Sequence, residues 1–105
     1  MRWKLQLAIA LAMLATSVVA ANAAQTINVG IKGLKFTPAQ VTAHVGDTVV
    51  WTNQDPMPHT STARTGEWDL SVPPGQSASF VAAKAGTFAY FCRIHASMGG
   101  KLVVN

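Results

Sequence analysis

Charge is scarce in this chain of 105 residues. Charged side chains make up 11% of it, against about 25% in ordinary globular domains. Half of the residues are hydrophobic, which excludes a highly charged, disordered protein. There is one cysteine, Cys92. That excludes an intrachain disulfide and any zinc site built from several cysteines. No internal repeat, low-complexity tract or linker is visible, and the length bounds the chain to one domain at most. Only four acidic residues stand against eight basic ones, for a net charge of +4. A basic balance points first to nucleic acid or a membrane, but no basic stripe or patch with interleaved aromatics accompanies it. A nucleic-acid partner is therefore not expected.

Part of that charge belongs to the N-terminal segment. Arg2 and Lys4 precede Leu5–Ala15, in which Gln6 is the only polar residue, and Ala21-Asn22-Ala23 places small residues where a signal peptidase reads them. Residues 1–23 are read as a cleavable secretory signal peptide. Read instead as a membrane anchor, Leu5–Ala21 is short of the roughly 20 apolar residues a span requires. No stable membrane association after cleavage is expected. The remaining domain, 24–105, carries six basic and four acidic residues, a net charge of +2.

No stretch of this domain sustains a 3.6-residue period. Short alternating segments are separated by Gly, Pro, Asn and Asp, as strands are. Gln25–Ile31, Val41–Val45, Thr48–Asn53, Ser77–Ala82, Thr87–Cys92 and Lys101–Val104 are the predicted strands. Gly46-Asp47, Asp55-Pro56-Met57-Pro58, Pro73-Pro74-Gly75, Gly86 and Gly99-Gly100 are the breaks. Six or seven short strands at this spacing predict an all-β antiparallel sandwich or barrel. Trp51, Phe36, Phe80, Phe88 and Tyr90 are its expected large core residues.

Four residues outside that core pattern carry chemistry. Cys92, His95 and Met98 follow one another at intervals of three, just after an aromatic strand, and His59 lies 33 residues before Cys92. Singly, each has a plainer reading: an inert buried thiol, surface histidines, a packing methionine. Together they match two imidazoles and a thiolate in a trigonal plane with a weak axial thioether, the donor set of a blue-copper electron-transfer site. Thiolate and thioether suit Cu(I), and imidazole suits both oxidation states. His44 has no such companions and reads as a surface or strand histidine.

The segments Gly46–Asn53, Met57-Pro58-His59, Ala85–Cys92 and Cys-x-x-His-x-x-Met give residues 26–105 a resemblance to the plastocyanin-like cupredoxins, and among them most to the amicyanins. The resemblance implies a Greek-key β-sandwich with one type 1 copper near one end. It implies His59, Cys92 and His95 as equatorial ligands and Met98 as the axial one. It also implies periplasmic one-electron shuttling between redox proteins, with a c-type cytochrome and a dehydrogenase as candidate partners. Two departures stand out. Thr60 occupies the position where these families place an asparagine that ties the ligand loops together, which makes Thr60 the candidate for that tie here. The loop residues Arg93, Ile94, Ala96 and Ser97 replace the prolines of the amicyanin loop.

The expected function is outer-sphere electron transfer by a monomer that is not an enzyme. Its port is His95, within an apolar rim of Met57, Pro58, Ala96 and Met98. Phe91 is a candidate second route, and Arg93 and Lys101 favour an acidic partner. The competing reading is a periplasmic copper carrier or sequestration protein using the same ligands. A multi-copper oxidase or nitrite reductase needs a further copper site, and the three histidines are too few for one.

Overall fold

The computed structural model describes residues 23–105. The predicted signal peptide, residues 1–23, lies outside the described residues apart from Ala23. Nine strands and no helix make up the described chain: β1 (Thr26–Ile31), β2 (Phe36–Thr37), β3 (Gln40–Ala43), β4 (Thr48–Asn53), β5 (His59–Ala63), β6 (Asp69–Val72), β7 (Ser77–Val81), β8 (Gly86–Phe91) and β9 (Gly99–Val104). They form a four-stranded sheet in the order β2-β1-β4-β7 and a five-stranded sheet in the order β3-β9-β8-β5-β6. No helix of the described residues is long and apolar enough to cross a membrane.

The alternation read from the sequence does set which side chains face inward. In β4, Val49, Trp51 and Asn53 are buried, while Thr48, Val50 and Thr52 are partly exposed. In β8, Phe88 and Tyr90 point into the core and Cys92 continues their side of the strand. The two-sheet sandwich is as expected, and five of the seven strand pairings are antiparallel. The other two are parallel, against the expectation of an antiparallel fold throughout: β1 beside β4, with Val29 opposite Trp51, and β3 beside β9, with Val41 opposite Leu102. A period of two says which face is buried and is silent on strand direction. Direction follows from where the chain crosses between the sheets, since a parallel neighbour needs a crossover rather than a hairpin.

Three strands escape the sequence reading. β2 is only two residues long. β5, His-Thr-Ser-Thr-Ala, is buried at every position although four of its five side chains are polar. β6 pairs alongside it. A buried polar strand carries no hydrophobic alternation to detect. It survives burial because its polar groups find partners, as buried hydroxyls must. Trp68 donates to Ser61 Oγ at 2.9 Å, and Thr62 donates to Asp69 Oδ1 at 2.8 Å.

The core centres on an aromatic cluster. Trp51 stacks on Trp68 with ring centroids 5.7 Å apart, and Tyr90 meets Trp51 edge-on at 5.5 Å and Phe36 at 4.8 Å. Trp68 belongs to this core and was absent from the expected set, because it lies outside every predicted strand. Phe80, expected inside, is only partly buried and covers Trp68 at 4.9 Å. His44 lies just beyond β3 and is exposed, as expected; its backbone N–H donates to Asp47 Oδ2 at 2.8 Å.

Gly100 faces Tyr90 across the β8–β9 ladder, and a β-carbon there would overlap the phenol ring. Gly100→Ala is therefore expected to lower stability by about 1–3 kcal/mol, the usual cost of overpacking a core, as measured by urea unfolding. An unchanged midpoint would show that the ring has room to move.

Candidate metal centre

The four singled-out residues meet at one end of the sandwich. His59 opens β5, Cys92 follows the last residue of β8, and His95 and Met98 lie on the loop that leads into β9. The loop is folded back on itself by two backbone bonds, Met98 N–H to the His95 carbonyl at 2.9 Å and Cys92 N–H to the Met98 carbonyl at 3.2 Å. These bring Cys92, His95 and Met98 together in a short turn. His59, Cys92 and Met98 are almost fully buried, at 1%, 0% and 2% exposure, and His95 is partly exposed.

Both imidazoles turn Nδ1 towards the thiol. The two Nδ1 atoms are 3.2 Å apart, and each is 3.9 Å from Cys92 Sγ. A point in this triangle lies about 2.1 Å from all three atoms, within the roughly 2.0–2.3 Å of a metal–nitrogen or metal–sulfur bond. The donor set therefore fits a single metal ion, held by two nitrogens and one soft sulfur.

His59 and Cys92 are each held from behind. His59 Nε2 lies 2.9 Å from Asp55 Oδ2, which fixes the ring with Nδ1 inward. Asn53 braces the loop before His59: its amide donates to the carbonyls of Met57 and Val72, and its oxygen accepts from the Asp55 N–H. Thr60 performs the tie that was uncertain from its identity alone. Its N–H donates to Cys92 Sγ at 3.3 Å, and its hydroxyl oxygen accepts from the Arg93 N–H at 2.8 Å. Because a hydroxyl has one proton to give, the directions of the next bonds follow. Thr62 spends its proton on Asp69, so Thr60 donates to Thr62 Oγ1 at 3.0 Å, and Asp69 Oδ1 also accepts from Arg93 Nε at 2.9 Å. The bonds close a ring that begins and ends on Arg93. The Thr62 hydroxyl and then the Arg93 guanidinium hold Asp69 below the usual carboxylate range.

Burial pushes the Cys92 thiol up, but the Thr60 N–H and the two imidazoles and backbone around it outweigh burial and bring it down to about 6. Asp55, Asn53, Trp68 and Asp69 are the contributors that sequence reading missed. The available signal for Asp55 was a carboxylate four residues before a candidate ligand in a proline-restricted turn. The surface also departs from expectation. Met98 lies beneath the expected rim rather than in it, while Ile94, at 52% exposure, joins Met57 outside. Arg93 is paired with Asp69 rather than free, and Phe91 is partly exposed with the Arg64 guanidinium 4.6 Å over its ring.

Residues 5–104 match the cupredoxin-like domain family. The chain belongs to that family. This cupredoxin is 33% identical to the amicyanin of Paracoccus versutus over 78% of its own length and 67% of the relative's, and 37% identical to the amicyanin of Paracoccus denitrificans over 75% and 65%. The chain thus spans about two thirds of those relatives. Among solved structures, a reduced proline-to-phenylalanine variant of amicyanin superposes with a TM-score of 0.67 at 34% identity, covering 83% of this chain and 87% of that one. Matched amicyanin structures include Cu(I) forms. One type 1 copper ion is the cofactor of this cupredoxin, and its homologues support an electron carrier.

In the metal-free protein the thiolate absorbance of Cys92 is expected to rise with a midpoint near pH 6 rather than 9. The folded state then holds fewer protons than the unfolded one between those values. Stability should rise across that window and be lost as pH falls through about 6. A midpoint near 9 would show that the donors do not stabilise the sulfur.

Proposed function

We propose that this cupredoxin is a periplasmic one-electron carrier whose copper is held by His59, Cys92 and His95 in the plane and by Met98 on the axis. The observation that carries the reading is the triangle of two Nδ1 atoms and one Sγ, spaced for a single metal ion. Bound copper supplies a Cu(II)/Cu(I) couple. The chain supplies a rigid donor set that suits both oxidation states, so little has to move when an electron arrives. Water is kept from the donors by the burial of His59, Cys92 and Met98. The partly exposed His95 ring is the port, and exposed Met57, Pro58, Ile94 and Ala96 give it a mostly apolar margin fit for brief docking. The same burial argues against a carrier that hands its copper on, which needs ligands a partner can reach. The electron carrier is not an enzyme on this reading, because no substrate binds the metal.

Residues 1–23 support export to the periplasm. The charge pattern supports the chemistry of the partner. Among the described residues every side-chain carboxylate is engaged: Asp47 and Asp55 by backbone N–H groups, Glu67 by Lys84 and Asp69 by Arg93. Lys32, Lys35, Arg64 and Lys101 form no ion pair there. The uncompensated charge is thus positive, and a redox partner with an acidic face, such as a c-type cytochrome or a dehydrogenase, suits it.

Loading with Cu(II) should give an intense thiolate-to-copper absorption that disappears in Cys92→Ala. Met98→Leu should keep copper and raise the potential, because a weak donor to Cu(II) is lost. A colourless loaded protein would refute the reading, and an unmoved potential in Met98→Leu would remove Met98 from the axis.

Electron transfer to a purified acidic c-type cytochrome should slow as salt rises, and slow less in a variant with Lys32 and Lys35 both changed to Gln. Stopped-flow rates at several ionic strengths decide this. A rate that rises with salt would mean that the docking faces repel.

A further inference from the structure

The turn between β1 and β2 holds an unfavourable conformation that its own packing does not explain. Leu34 has φ 60°, the one non-glycine residue with positive φ among those described, directly after Gly33 at the same φ. A branched side chain avoids this region because its β-carbon crowds the following carbonyl. Leu34 is 42% exposed, so burial does not hold it there. The conformation does achieve one thing: it aims two successive N–H groups at one carboxylate. Gly33 N–H donates to Asp55 Oδ1 at 2.7 Å and Leu34 N–H to Asp55 Oδ2 at 3.0 Å. Consecutive backbone N–H groups in such a turn make an anion-binding nest. The turn is closed by Lys32 N–H to the Lys35 carbonyl at 3.1 Å and joined to the ligand loop by Gln54 N–H to the Ile31 carbonyl at 2.8 Å. The same Asp55 Oδ2 accepts from His59 Nε2 at 2.9 Å. Among the described residues His95 Nε2 has no comparable acceptor. The two imidazoles are therefore unequal, one anchored on a carboxylate and the other presented at the surface.

We propose that Asp55 is a positioning residue for the ligand His59, held in place by the strained Gly33–Leu34 turn, and that it biases the site towards Cu(II). The inference rests on the copper reading above. An ionised acceptor on Nε2–H fixes the tautomer and makes Nδ1 a stronger donor. A stronger donor and a nearby negative charge both favour the more positive metal ion. Strain of this kind persists where the surroundings impose it for a purpose, and here the purpose is to keep the carboxylate aimed.

Asp55→Asn tests this, because it keeps the size and one acceptor oxygen while removing the charge. The preference for Cu(II) over Cu(I) is expected to fall about tenfold, an upward shift of about 59 mV for one electron. Leu34→Gly keeps both N–H groups and the charge, so its potential should equal that of the unaltered protein. In the metal-free, unaltered protein, ring ¹⁵N NMR should show His59 protonated on Nε2 and bare on Nδ1, with the Nε2 proton strongly deshielded and less so in Asp55→Asn. An unmoved potential in folded Asp55→Asn would overturn the proposal. So would an equal shift in Leu34→Gly, which would assign the effect to the cover of the leucine side chain. A Nδ1–H tautomer of His59 in the unaltered protein would overturn it even where Asp55→Asn does not fold. A colourless copper-loaded native protein would overturn the copper reading itself, and the metal-free NMR measurement separates that failure from this one.

Discussion

A sulfur buried as a thiolate has to be given hydrogen-bond donors, and the ligand end of this molecule is arranged around that requirement. Cys92 is wholly buried, where its charge would ordinarily be suppressed. The Thr60 N–H answers that cost directly, and it can do so only because β5 passes beside the end of β8. The strand that delivers the donor also delivers the first proposed ligand, since His59 is its opening residue. One strand therefore supplies a proposed metal donor and, at the next residue, the group that makes the Cys92 charge tolerable.

That placement explains why a polar strand lies in a buried position. His59, Thr60, Ser61 and Thr62 are buried together, and each finds a partner that also does something for the site. Asp55 orients His59. Thr60 ties the ligand loop through the Arg93 N–H. Ser61 takes the indole proton of Trp68 and so fastens the aromatic core to the site. Thr62 passes the chain of bonds to Asp69, which returns it to Arg93. In this proline-free loop, bonds to Thr60 and Asp69 tie down the backbone and side chain of Arg93.

The sandwich and the donor set were both legible in the sequence, for different reasons. Alternation in Thr48–Asn53 and Thr87–Cys92 follows from hydrophobic burial on one face, and that is a local property of the chain. The Cys-x-x-His-x-x-Met spacing was legible because its chemistry is unusual in a protein with one cysteine. What escaped was of another kind. β5 was invisible because its burial is supported by hydrogen bonds rather than by apolar side chains, and β6, which does alternate with Leu70 and Val72 inward, is only four residues long. Trp68 was missed because it lies outside every segment with visible alternation. The two parallel pairings were hidden because patterning does not encode direction. The identity of Thr60 raised the question of the loop tie, and only its hydrogen bonds answered it.

By itself the sequence determined the all-β class and the inward faces of the main strands, and it singled out the four residues proposed for the centre, because each depends on residue type and pattern. The tertiary structure alone decided which nitrogen of each histidine faces the sulfur, that Met98 lies under the surface rather than in it, that Arg93 is spent on Asp69, and that a turn 22 residues away in sequence grips the carboxylate behind His59. These are relations between segments distant along the chain. They depend on which strands become neighbours, and that is fixed only when the two sheets close over a common core.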